Sequence, residues 1–250
     1  MLFGSQSTDR APQRLVELYE QLGRDVASHT GPDGALAAVA TIAATAVVGA
    51  DYASITRGFT GGAFRTLAST DDAAILADHI QYELQSGPCV DAAMNEGILT
   101  SGNLAIDARW PLFGARVVQD SDIRSVLSIR MVLDEDDADA ALNIYGTAVD
   151  AFTPDSRTIA TLLAIHGGVA VSRVIAQEKV VNLQRALESN REIGMAMGVL
   201  MSKHKFTREQ AFDTLRIASQ GSGRKLYDVA SDVVESGTLD LPPLPRPRPS

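Results

Sequence analysis

The chain has 250 residues, enough for two ordinary domains, and its 45% hydrophobic and 21% charged residues exclude wholesale disorder. Its one cysteine, Cys89, excludes an internal disulfide framework and fits a reducing compartment. The net charge of −9 argues against a nucleic-acid partner for most of the surface, but it is unevenly spread. Residues 1–178 carry −12 and residues 179–239 carry +2, so only the C-terminal part can approach a phosphate backbone.

In chain order, residues 10–28 place Leu15, Leu18, Tyr19, Leu22 and Val26 at helical spacing. No basic segment followed by an apolar one precedes them, so no secretory signal is expected. The apolar stretch at 35–50 contains Thr41 and Thr45 and reads as a buried helix rather than a membrane span. No membrane partner and a cytoplasmic location are therefore expected. DYASITRGF and GAFRTLAST read as two strands separated by Gly61 and Gly62, and 71–85 as a helix ended by Ser86-Gly87-Pro88. In SVLSIRMVL and ALNIYGTAV apolar and other residues alternate, which predicts a strand pair joined by the acidic run 134–139 as a solvated loop.

A helix opens at Thr153-Pro154, with Thr153 as N-cap, and meets no strong stop before about Ser202. Ile159, Leu162, His166, Val169, Arg173, Ala176, Val180, Leu183 and Leu187 follow at three- and four-residue steps. That seam suits a parallel helix pair in a homodimer, and the competing account is a helix packed only on its own sheet. Gly167 and Gly168 mark either a break or a close contact.

Residues 185–237 read as three short helices. Thr207 and Gln210 have capping-box spacing, and Gly237 suits the end of the last helix. Ile193, Ala196, Leu200, Ala211, Leu215, Ala218, Leu226, Val229 and Val233 fall at helical intervals and predict one shared core. Gly198 inside a helix implies a packing reason. Lys203, His204, Lys205 and Arg208 cluster at the first turn, Ser219, Gln220, Arg224 and Lys225 at the second, and Arg216 lies between.

This module resembles the ANTAR family through Arg191 and Ile193, Ala196-x-Gly198-Val199-Leu200-Met201, Ala211-Phe212, Leu215-Arg216, Lys225-Leu226 and Val229-Ala230. Met197 departs from the lysine or polar residue that many members carry there. Residues 12–175 are similar to the GAF family, and GPCVDAAMNEGILTSGNLAIDARWP resembles a segment of many actinobacterial GAF domains that precede ANTAR modules. The resemblances imply an α+β fold: a GAF-like antiparallel sheet flanked by helices, a long connecting helix, and an all-α three-helix ANTAR module. Domain bounds of 1–175, 176–239 and a disordered proline-rich tail at 240–250 follow.

The ANTAR resemblance implies binding of paired RNA hairpins in leader transcripts and transcription antitermination. Arg191, Lys203, Lys205, Arg208, Arg216, Ser219, Gln220, Arg224 and Lys225 are the expected RNA contacts, because loop recognition needs cations and polar groups on one exposed face. The alternative is a ligand-binding or scaffold protein whose last helices touch only protein. GAF domains either hold a small ligand above the sheet or serve as dimer scaffolds. Trp110 and Cys89 are the pocket candidates here, against the simpler expectation that both pack in the core. Cys89 as a redox sensor and His79 as a haem ligand are weaker alternatives to packing. The scattered histidines show no metal-ligand spacing, and no phosphate loop or hydrolase motif occurs, so neither a cofactor, a metal nor an enzymatic activity is expected.

Overall fold

β1 (Tyr52–Phe59), β2 (Ala63–Ser69), β3 (Ile98–Ser101), β4 (Ser125–Val132) and β5 (Asp139–Gly146) form one antiparallel sheet in the order β2-β1-β5-β4-β3. This computed structural model describes residues 10–29, 31–59, 61–94, 97–133 and 139–239. The expected acidic loop, apart from the backbone of Asp139, and the proline-rich tail lie outside the described residues.

The sheet is covered on both faces. On one side, α1 (Arg10–Ser28), α2 (Pro32–Ala46) and the first part of α6 (Pro154–His204) pack against the inward alternation of the central strands. Leu36 and Val39 of α2 and Leu163, Ala164 and Val171 of α6 share a core with Ile55, Leu127, Ile129, Leu142 and Ile144. On the other side lie α3 (Asp72–Leu84), α4 (Pro88–Met94) and α5 (Pro111–Asp120). Asp71 caps α3 by accepting from the Ala73 N–H at 2.8 Å. Alternation had located β4 and β5, but their second face is not solvated: Ser128 and Asn143, partners in register, are fully buried.

Helix α6 runs 51 residues without interruption, and Ser156 N–H donates to the Thr153 hydroxyl at its start. Gly167 and Gly168 are close contacts, not a break. A Cβ on Gly167 would stand 2.8 Å from Val39 Cγ1, and one on Gly168 would stand 2.5 Å from the Val132 carbonyl oxygen. By length and composition alone, a second stretch besides 35–50 is apolar enough to compare with a membrane span. Helix α6 contains an 18-residue window of mean hydropathy 1.7. A third of that window, 33%, is buried, as in a helix that packs one face on a core.

The chain divides into two compact units, Met1–Gln177 and Glu178–Ser250. In the second unit the end of α6, α7 (Arg208–Ser222) and α8 (Leu226–Ser236) enclose a small core. Ala196, Leu200, Ala211, Leu215, Ala218, Val229 and Val233 are its buried residues together with Ala230, and Ile193 and Leu226 pack at its edge. Thr207 and Gln210 form the reciprocal capping box at the start of α7. Gly223, at φ 66°, ends α7 in the left-handed conformation that glycine adopts without a Cβ clash. The packing reason expected for Gly198 is absent among the described residues: a Cβ there would meet nothing within 4 Å.

Candidate nucleic-acid interface

All nine expected RNA-contact residues lie in the second unit, and eight of them are exposed, with Ser219 half-buried. They do not form one cluster. Lys203, Lys205 and Arg208 stand at the α6–α7 turn, and Gln220, Arg224 and Lys225 at the α7–α8 turn. The two groups are separated by α7, which at 1.5 Å per residue is about 22 Å long. Arg216 stands between them on α7, and Arg191 lies further back on α6.

The first turn is tightly shaped. Lys205 takes a left-handed backbone, φ 58°, and the rings of His204 and Phe206 stack at 5.2 Å. The Lys203 ammonium donates to the Gly237 carbonyl at 3.1 Å, tying the end of α6 to the end of α8. At the second turn the Ser219 hydroxyl donates to the Arg224 carbonyl at 2.7 Å, so Ser219 shapes the turn with its side chain.

Two of the arginines already have partners. Arg224 pairs with Asp232, which holds the Asp232 carboxyl below its ordinary range, and Arg216 pairs with Asp213 at 3.1 Å. All four side chains are about half exposed or more, so these are solvent-screened pairs that a phosphate can replace. Among the described residues Arg191, Lys205, Arg208 and Lys225 have no carboxylate within ion-pair distance. Met197 is partly buried and packs against the edge of the core.

The sequence reading missed the exposed aromatics of this unit. Phe212 and Tyr227 are 41% and 43% exposed. A helical register for α7 that buries Ala211, Leu215 and Ala218 leaves Phe212 outside, which is the signal that was available.

The pocket candidates of the first unit are packed, not open. Trp110 is 4% exposed, and its indole N–H donates to Asp91 Oδ2 at 2.7 Å. Cys89 is fully buried, and burial pushes its thiol well above the usual range. It adjoins a buried polar cluster on the sheet face beneath α3 and α4. There Asp78 Oδ1 accepts from the Tyr145 hydroxyl at 2.6 Å and Oδ2 from the Thr66 hydroxyl at 2.8 Å. The Asn143 amide donates to Ser54, Thr56 and the Cys89 sulfur. Burial raises the Asp78 carboxyl, and the hydrogen bonds it accepts offset only part of that. His79, the residue weighed as a haem ligand, is exposed on α3 with its ring 5.9 Å from that of Tyr82. A cavity of about 320 Å3 lies elsewhere, at the β3 edge, lined by Ile98, Thr100, Gly102, Arg109, Asp150, Phe152 and Arg157.

Residues 181–234 match the ANTAR domain family. The chain has a GAF–ANTAR architecture. Its GAF half is shown by fold alone. The GAF domain of a phosphoenolpyruvate-protein phosphotransferase from Coxiella burnetii is similar at TM-score 0.51 and 14% identity, over 68% of this chain and 99% of that one. The phytochrome photosensory core module of Stigmatella aurantiaca is similar at TM-score 0.57 and 11% identity, over 88% of this chain and 46% of that one. No curated protein matches the chain. The match gives the C-terminal unit an ANTAR domain, and the solved structures give the fold of the first unit.

Proposed function

We propose that the ANTAR domain binds paired RNA hairpins in leader transcripts and favours transcription antitermination, in a cytoplasmic regulator of the actinobacterial type. The observation that carries this reading is a folded three-helix unit, matched by the family over 181–234, that keeps its cations outward at both inter-helix turns. The chain works as a homodimer through α6. Leu162, His166, Val169, Arg173, Ala176, Val180, Leu183 and Leu187 are all at least partly exposed, with Val169, Leu183 and Leu187 at 66%, 61% and 60%. A dimer presents two ANTAR domains to two hairpins, and the effective concentration of the second contact compensates for the low charge of each domain. The GAF domain either receives a small ligand or holds the dimer, and a ligand that favours one GAF state shifts how the two modules are presented. On this reading its role is binding, and the buried Cys89 thiol takes no part as a nucleophile.

Binding to an RNA with two stem–loops is expected to weaken with salt and to fall for Arg224→Ala and Lys225→Ala. Crosslinking in cells followed by sequencing is expected to recover leaders with tandem hairpins. The Arg216 and Arg224 ion pairs favour a second reading, in which the helices contact only protein. Absence of RNA binding at low salt would establish that reading instead.

A further inference from the structure

Phe212 is 41% exposed, while its α7 neighbours Ala211, Leu215 and Ala218 are buried in the ANTAR core. A lone exposed apolar side chain is ordinary, but the company of this one is not. Arg208 stands four residues before it and Arg216 four after, so cation, ring and cation occupy successive turns of one helix face. Ser219 and Gln220 carry that face on to the α7–α8 turn. Neither arginine covers the ring. Among the described residues the cation–π contacts fall on Phe59 and Trp110, and Phe212 stacks with no other ring.

We propose that Phe212 is a stacking platform for an unpaired base of the RNA loop, with Arg208 and Arg216 taking the phosphates on either side. The proposal rests on the RNA-binding reading above and names the group that reads loop structure rather than charge. Every base has a face that can stack on an aromatic ring, and the flanking guanidinium groups supply the charge complementarity that a phosphate chain requires. A second copy of this chain fits the surface poorly, because a two-fold contact would set Arg208 and Arg216 against their own equivalents. The sequence-independent part of binding comes from the cations at the two turns, and the ring selects single-stranded over paired nucleotides.

The test uses the full chain and a pool of synthetic RNAs carrying paired stem–loops with randomised loops. Phe212→Leu keeps an apolar side chain but removes the ring, and is expected to weaken binding by about ten-fold or more. It is expected to leave the slope of log affinity against log salt unchanged. Arg216→Gln is expected to lower that slope by about one. Phe212→Trp is expected to bind as the wild type does, with its fluorescence quenched by RNA over the background of Trp110, which is 4% exposed. Wild-type affinity in Phe212→Leu, or an unquenched Phe212→Trp that binds RNA, overturns the platform and leaves the RNA-binding reading intact. A wild-type chain that ignores the pool at low salt overturns both. If Phe212→Leu loses helical signal, the Phe212→Trp quenching decides. An acidic protein whose capture depends on the ring while RNA binding does not also overturns the proposal.

Discussion

Asp78 shows how far a single residue can depart from its sequence signature. A carboxylate in the middle of a helix reads as a solvent-facing charge, yet Asp78 is fully buried and collects hydrogen bonds from β1, β2 and β5. Burial raises its folded pKa above the unfolded value, so the folded chain holds the proton more tightly. The stability this confers is complete below the unfolded pKa of about 3.9 and is lost as pH rises through the folded one. Asp78→Asn removes that loss. Its melting temperature relative to the wild type is expected to climb as pH is raised from 4, and a flat or falling difference would contradict the assignment. Cys89 is expected to resist iodoacetamide in the native chain and to react only on unfolding, because the thiolate forms with difficulty at a buried site. Stoichiometric labelling of native protein at pH 8 would show the thiol to be open.

At the scale of elements, legibility followed the strength of local signals. The helices of the ANTAR domain were readable because Thr207 and Gln210 announce one start and nine apolar positions keep helical period. Helices α4 and α5 and strand β3 were not. Both helices are short and begin at prolines, Pro88 and Pro111, within a segment of mixed period, and β3 spans only four residues. Their existence is decided by the sheet face they cover. The polar alternation of β4 and β5 located the strands, but nothing local to Ser128 or Asn143 told that helices would bury them. The glycines of α6 separate the same way. Gly168→Ala would drive a Cβ against the Val132 carbonyl and is expected to cost about 1–3 kcal/mol in urea denaturation. Gly198→Ala enters open space and is expected to add about 0.5–1 kcal/mol. Equal effects of the two substitutions would refute the contrast.

For the whole molecule, the two-part organisation was visible in the charge division and in the change from strands to uninterrupted helix. The candidate RNA surface was visible as a list of cations but not as an arrangement, since two turns at opposite ends of α7 carry them. The seam on α6 leaves large apolar side chains in water, which a second copy would cover. Leu183→Asp combined with Leu187→Asp is expected to turn a dimer into a monomer by light scattering, with the melting profile of the GAF domain retained. A wild-type chain that is already monomeric at micromolar concentration would remove the seam from the account.

The glycine pair in α6 also limits how the GAF domain can act on its own helix. At Gly167 and Gly168 the helix lies so near Val39 and the Val132 backbone that no side chain fits between them. Sliding the helix by one residue would thrust His166 or Val169 into that gap, and turning it in place would do the same. Helix and sheet are keyed together like a shaft in its hub, so the two glycines close off both a slide and a turn of α6 against the strands beneath it.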